Sequence, residues 1–456
     1  MTERASERPP SHLFYQGRRR RPVLDQARGI HMWDEDGRRW IDGSSGAMVC
    51  NIGHANPRVL EAMRRQMARA TFGYRLHFET EASERLAAKT AALLPGDLDR
   101  IFFVSGGSEA VESALKLARQ WALATGQGTR WKVISRTPSY HGSTFGALAV
   151  TGYDPLTEPF APMMRMMPRV PAPRAYLDGR DVDDPATGRH YADMLAAEIE
   201  AQGPETVLAF IVEPVGGAST GALVPPAGYM ERIAEICAHY GILLIYDEVM
   251  TGAGRTGRFT AAEHWDVVPD IMVLSKGFAA GYVPLGAMAA SPRLVEPVLD
   301  AGGFLHGYTF AGNPLACAAG LAVIEEIETH RLVANAEAMG AVLMERLRGL
   351  MRRWPLIGDV RGKGLLTAFE LVAERARMSP LPARLNAHQR LVDIAYEAGL
   401  IVYSRRTRGG HEGDHVIVAP PLIVTEPQLE EIVAILDGAM ARLSDEIAAT
   451  LREPAS

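Results

Sequence analysis

Between about residues 80 and 330 the chain alternates short, mainly apolar runs with helical segments, and no other feature restricts its fold so sharply. The runs fall at 101–104, 132–134, 207–212, 242–246 and 271–274. Each is short, β-rich and apolar at successive positions, which is the pattern of a strand buried on both faces. Helical segments over 109–123 and 228–240 connect them. Strand and helix in alternation build a mainly parallel sheet flanked by helices, an α/β fold.

An open sheet of this kind binds ligands beyond the carboxyl ends of its strands. Four of the runs end on chemically distinctive residues. The run 101–104 leads into Ser105-Gly106-Gly107-Ser108-Glu109, and 207–212 into Glu213-Pro214. The run 242–246 leads into Asp247-Glu248-Val249, and 271–274 into Ser275-Lys276-Gly277. The fifth, 132–134, reaches Tyr140-His141-Gly142 through a short loop.

Taken singly, each has an ordinary explanation. The 105–110 turn is accounted for by a capped strand-to-helix turn, although its glycines and free helix N–H groups also suit a phosphate. It has neither a Walker lysine nor a GxGxxG fingerprint, which argues against a nucleotide loop or a dehydrogenase. Lys276, alone, reads as a lysine whose ammonium snorkels to the surface, although burial there would lower its pKa and make the amine nucleophilic toward carbonyls. Asp247 at a buried strand end needs a cationic partner; a protonated ring nitrogen, Arg255 and Arg258 are the candidates. Together the residues are more informative. A lysine for an aldehyde, an acid for a ring nitrogen, an aromatic for a ring face and a Gly/Ser cup for a phosphate are what pyridoxal 5′-phosphate (PLP) requires.

The segments that carry these residues resemble those of the class III, or omega, aminotransferases of PLP fold type I. The matching stretches are Ser105 to Glu112, Tyr140-His141-Gly142, Glu213-Pro214-Val215, Asp247 to Gly257, Ser275-Lys276-Gly277, Gly281 to Gly286 and His306 to Pro314, in the same order and spacing. The resemblance implies that Lys276 holds PLP as a Schiff base, Asp247 pairs with the ring nitrogen, and Val249 and Tyr140 cover the ring faces. It further implies that Gly107 and Ser108 hold the phosphate, that Glu213 and His141 belong to the cofactor site, and that Thr309 completes the phosphate site of a neighbouring subunit in a homodimer. The implied reaction moves an amino group from an amine or ω-amino acid, or an α-amino acid, to a keto acid such as pyruvate or 2-oxoglutarate, with pyridoxamine phosphate as the carrier form. An aminomutase on the same scaffold and a non-catalytic PLP-binding protein are the alternatives.

Substrate residues are less constrained. Met48 stands where many relatives carry a wall tryptophan. Tyr74, with Phe72, His77 and Phe78, falls in a segment that lines the pocket in relatives and equally fits an interface. The stretch between Tyr403 and His415 is expected as a long loop holding three arginines, Arg405, Arg406 and Arg408. Arg405 is the preferred carboxylate receptor, against a plain solvent-exposed basic hairpin.

The flanks read differently from the centre. Residues 23–42 are expected as short strands with turns, and 56–70 as a helix. A hairpin-like pair at 400–403 and 415–419 precedes a closing helix opened by Thr425-Glu426-Pro427-Gln428. The expected division is 1–75 and 331–456 as segments of a smaller α+β domain, with 76–330 as the large PLP-binding domain. The net charge of −6 calls for neither nucleic acid nor an anionic membrane as partner. The basic run 18–21 reads as a solvated turn. Cys50, Cys237 and Cys317 are too few and too scattered for a disulfide framework or a zinc site, so no metal is expected. The polar stretch 1–10 has no apolar core, and a cytoplasmic location is expected.

Overall fold

The computed structural model describes residues 11–452 of the chain; the polar stretch 1–10 lies outside the described residues. Three short strands open the chain, β1 (Leu24–Arg28), β2 (His31–Asp34) and β3 (Arg39–Asp42). The central region contributes β4 (Arg100–Val104), β5 (Lys132–Thr137), β6 (Arg169–Pro171), β7 (Val207–Val212), β8 (Leu243–Asp247), β9 (Ile271–Leu274) and β10 (Gly286–Ala290). The C-terminal region adds β11 (Ile357–Lys363), β12 (Leu366–Glu374), β13 (Ser379–Pro380), β14 (Leu400–Ile401), β15 (Tyr403–Arg408) and β16 (Glu412–Val418).

The central sheet has the order β4-β10-β9-β8-β7-β5-β6. Its strands from β6 across to β9 are parallel, and β10 runs antiparallel to both β9 and β4. Every residue of β7, β8 and β9 is buried. The period of two sends alternate side chains to opposite layers. Leu243, Ile245, Ile271 and Val273 pack with Ala110, Ala114, Leu117 and Trp121 of helix Gly107–Ala124. Leu244, Tyr246, Met272 and Leu274 pack with Leu195 of helix Pro185–Gln202 and Ile233 of helix Tyr229–Tyr240. A strand with a core on each side cannot alternate polar with apolar, which is why the five runs were continuous.

Sequence reading missed β10, whose Gly-Ala-Met-Ala-Ala has little β propensity. Close packing explains the small residues. A Cβ at Gly286 would stand 2.7 Å from the Gly106 carbonyl oxygen.

The N-terminal and C-terminal regions meet in a second sheet, β1-β2-β3-β14, in which Leu400 pairs in parallel with Ile41. A third sheet has the order β11-β12-β16-β15, with β13 on β12. Here the expected hairpin needs correction. Leu400 and Ile401 leave it to join β3, and the true hairpin is β15–β16, turning through Gly409 and Gly410 at φ +64° and +89°. Arg405, Arg406 and Arg408 therefore sit on a paired strand and not in a loop. Two glycines in the left-handed region allow a turn this tight. Helix Glu426–Arg452 closes the chain, burying Leu429, Ile432, Leu436, Met440 and Leu443 along one stripe. The Thr425 N–H donates to Gln428 Oε1 at 3.0 Å, half of a capping box. Part of the basic run is tied down: Arg19 and Arg21 both reach Asp393.

Cys237 and Cys317 are buried and Cys50 half-buried, all as free thiols. Among the described residues no helix is long and apolar enough to cross a membrane.

Glu248, one residue past β8, is buried and accepts hydrogen bonds from the Ala262 N–H (2.8 Å) and the Thr251 hydroxyl. Burial pushes its pKa up to about 7 from an ordinary 4.5, against those hydrogen bonds. The folded state thus keeps a proton that the unfolded chain gives up near pH 4.5, so this group makes stability fall as pH rises from 4.5 to 7. Glu248→Gln is expected to remove that dependence. Thermal melts should show the variant gaining on the parent at pH 8 relative to pH 5; parallel melting curves at both values would refute this.

Candidate active site

Five strand ends and their loops build the site. Lys276 follows β9 in a single tight turn, with φ +47°, a strained conformation for a non-glycine residue. Two contacts hold it there. Ser275 Oγ donates to the Leu285 carbonyl at 2.8 Å, and Gly277 packs so closely on Asn51 that a Cβ would lie 2.2 Å from its Nδ2. The amine faces a cavity and makes no hydrogen bond among the described residues. Burial lowers its pKa, with the charges of Asp247 and Glu213 opposing.

Asp247, the last residue of β8, is buried. Its Oδ2 lies 2.8 Å from His141 Nδ1, and its Oδ1 accepts the Val249 N–H at 3.1 Å. Neither candidate arginine reaches it. Arg255 spends its donors on the Leu365 and Pro420 carbonyls, Ser45 Oγ and Asn51 Oδ1, and Arg258 pairs with Glu337. His141 is itself buried. Glu213 accepts the Gly217 N–H at 2.9 Å and the Tyr140 N–H at 3.4 Å, and burial raises its pKa despite the nearby His141 and Arg136.

Helix Gly107–Ala124 starts at this rim, and no side chain caps it at Gly106. Its first-turn N–H groups face the site without an intrahelical partner. Ser108 Oγ accepts the Ser143 N–H at 3.0 Å, and Tyr140 OH lies 2.9 Å from Ser143 Oγ. Gly107, Ser108, His141, Asp247, Val249 and Lys276 all line one cavity of about 150 Å³, which Tyr140 and Glu213 complete.

A second cavity of about 200 Å³ continues from it, sharing Lys276, Tyr140, Ala218 and Met250. Met48 lines it, buried, at φ +56°. Tyr153, Leu156 and Tyr403 also line it; no local pattern in the sequence pointed to them. Its one guanidinium is that of Arg405, which lies 5.8 Å from the ring centroids of both Tyr153 and Tyr403. Arg405 Nε donates to Tyr403 OH at 3.1 Å, and no carboxylate pairs with it among the described residues. The other two arginines are engaged elsewhere: Arg406 donates to the Ala383 and His411 carbonyls, and Arg408 to Met378.

Tyr74 and Thr309 line neither cavity. Tyr74 is partly exposed against His77, and Thr309 is exposed. Phe72 contacts Phe310 edge-on at 6.1 Å, and Arg75 donates to the His306 carbonyl, so residues 72–78 and 305–310 form one exposed surface rich in apolar side chains.

A family model described as aminotransferase class-III matches residues 15–440. An uncharacterized aminotransferase of Bacillus subtilis is 39% identical over 422 residues, covering 92% of this chain and 95% of the relative. A solved (S)-enantioselective omega-transaminase from Thermomicrobium roseum is 36% identical with a TM-score of 0.89, covering 95% of this chain and 96% of the other. An amine transaminase from an uncultivated Pseudomonas species, solved in a PLP-bound form, is 34% identical with a TM-score of 0.89, covering 95% and 99%.

The residues present fit PLP. An uncapped helix start offers N–H groups to a phosphate, a buried carboxylate with one imidazole partner awaits a ring N–H, and a lysine amine is free. Gly142 tests the fit of the cup. At φ +144° a Cβ there would stand 2.7 Å from Ser108 Oγ and from Ala147 Cβ. Gly142→Ala should lower PLP affinity by about tenfold or more, as measured by equilibrium dialysis; unchanged affinity would show that the cup tolerates the methyl group.

Proposed function

Because the chain belongs to the class-III aminotransferase family, whose members transfer amino groups with PLP, we propose that it moves an amino group from an amine or an ω- or α-amino acid to a keto acid such as pyruvate or 2-oxoglutarate, with Arg405 as the carboxylate receptor. The observation that carries the assignment of Arg405 is its lack of a carboxylate partner, among the described residues, on a wall of mainly apolar and aromatic side chains. A guanidinium left without a carboxylate in such surroundings is ready to accept one as a bidentate fork.

When bound, PLP supplies an aldehyde that takes up the donor's amine and a ring that accepts the electrons released as the donor's Cα proton leaves. Lys276 is the residue that would hold the aldehyde, and its amine, when free, would move a proton between the donor's Cα and the other side of the transferred nitrogen, a short-range acid–base step. A lowered pKa keeps more of that amine neutral at neutral pH. Asp247 would keep a proton on the ring nitrogen, and His141, bonded to it, fixes the direction of its carboxylate. Val249 and Tyr140 would pack on the ring, Gly107 and Ser108 would hold the phosphate, and Glu213 would serve the ring hydroxyl. Met48 leaves more room in the wall than a tryptophan would. Homodimers are typical of the family. Thr309, exposed on its own chain beside Phe310, serves the phosphate site of a neighbouring subunit in this reading, and the apolar surface at 72–78 and 305–310 is what dimerisation covers. Residues 76–330 form the cofactor domain in this scheme, with 1–75 and 331–456 making the smaller one.

Half-reactions test the proposal. A donor from a panel of amines and amino acids should convert the cofactor's absorbance, and pyruvate or 2-oxoglutarate should restore it; recovery without any keto acid would point instead to an intramolecular amino shift. Borohydride trapping followed by mass spectrometry should place PLP on Lys276, and Lys276→Ala should lose both the trapped adduct and turnover. Arg405→Ala should raise the KM for the keto acid by roughly ten- to a hundredfold; an unaltered KM would remove Arg405 from the substrate site.

A further inference from the structure

Arg405 belongs to a row of ionisable residues that crosses the third sheet. Strand register sets Asp359 on β11 opposite Glu370 on β12, Glu370 opposite His415 on β16, and His415 opposite Arg405 on β15. Residues in register share a face, so these four side chains lie side by side. Glu370 is buried, and its two oxygens are committed in different directions. Oε2 accepts Arg361 Nη2 at 2.8 Å, and Oε1 accepts the Thr407 hydroxyl at 2.6 Å.

Each commitment leads to the substrate cavity. Thr407 is on β15, two residues from Arg405 and on the same face. Arg361 Nη2 also donates to the Thr220 carbonyl at 3.0 Å, while its Nη1 donates to Asp359 at 2.8 Å and its guanidinium lies 4.2 Å from the Tyr176 ring centroid. Thr220 belongs to the loop 217–222, whose Ala218 and Ser219 line the cavity and whose Gly217 N–H is held by Glu213. The loop presses onto the row: a Cβ at Gly221, φ +64°, would stand 2.7 Å from His415 Cγ and 2.8 Å from Arg361 Nη2. His415 between the two arginines is kept neutral by its burial and by their charges.

We propose that Glu370 is a positioning residue that fixes the distance between the Arg405 guanidinium and the cavity wall formed by Ala218 and Ser219, by tying the Arg405 strand through Thr407 and the 217–222 loop through Arg361. Because both its oxygens are taken, Glu370 does not neutralise Arg405, and the guanidinium stays available for a substrate carboxylate. Arg361, by contrast, is matched by two acids. The proposal rests on the reading of Arg405 as the carboxylate receptor.

Three variants examine it beside Arg405→Ala. Thr407→Val keeps the volume and all buried charges but cuts one tie; Thr407→Ser restores the hydroxyl; Glu370→Gln cuts the charge of the other tie. Each holoenzyme would be assayed for keto-acid KM and kcat, for inhibition by a non-reacting carboxylate such as glutarate, and for PLP trapped on Lys276. Thr407→Val and Glu370→Gln should raise the KM and the glutarate inhibition constant by about tenfold while kcat falls by less than about threefold, with Thr407→Ser close to the parent. A keto-acid KM within about twofold of the parent in both Thr407→Val and Glu370→Gln, or equal loss of kcat and of trapped PLP, would overturn the strut. If Arg405→Ala itself leaves KM unaltered, the receptor assignment fails first; if it raises KM and the strut variants do not, only the strut fails.

Discussion

A carboxylate at the inner end of a buried strand must be paired, and much of the site follows from how this chain pairs Asp247. The partner is not an arginine from the following loop but the imidazole of His141, delivered from the loop after β5. That choice draws the β5 and β8 loops together and leaves one side of the carboxylate facing the cavity. It also frees Arg255 for a structural task, bonding to the Leu365 and Pro420 carbonyls, Ser45 and Asn51. Asn51 in turn packs on Gly277, beside Lys276. The arginine beside the site thus joins segments at 45–51 and 365–420 to the turn that carries the lysine.

The third sheet obeys the same rule with a different outcome. Arg361 is offset by Glu370 and Asp359, and His415 is held neutral. Arg405, in the same row, meets Tyr153, Tyr403 and the neutral His415 and has no carboxylate partner among the described residues. Removing a guanidinium from water without an acid to balance it is costly, and proteins accept that cost where a ligand completes the pair. The contrast separates an arginine fixed by two acids from one that has no acid partner among the described residues.

Much of this was legible before any coordinates. Continuous apolar runs announced strands buried on both faces, and their ends announced the rim, because ligand sites in parallel sheets lie at strand ends. Lys276, Asp247, Tyr140 and Glu213 all stand there in the structure. β10 escaped notice because close packing against the β4 turn demands small residues that carry no β signal. The 404–414 stretch reads as a loop because its arginines and glycines outweigh its strand character; pairing with β16 overrides that local preference. Tyr153 and Leu156 reach the cavity from a segment with no periodicity to mark them.

By itself, then, the sequence determined the α/β class, the cofactor chemistry through its family resemblance, and which residues stand at the strand ends, since these depend on local patterns: apolar runs, turn glycines, and what immediately follows each strand. Only the tertiary structure decided which base pairs Asp247, which of three arginines faces Lys276, and that Glu370 joins two walls of one cavity. Those outcomes are set by register and by contacts between residues as much as 253 positions apart, as in the bond from Tyr153 to the Arg406 carbonyl. Such pairings cannot be read from spacing along the chain. They follow from which groups the packed core leaves without water, and each of those must then find a partner in space.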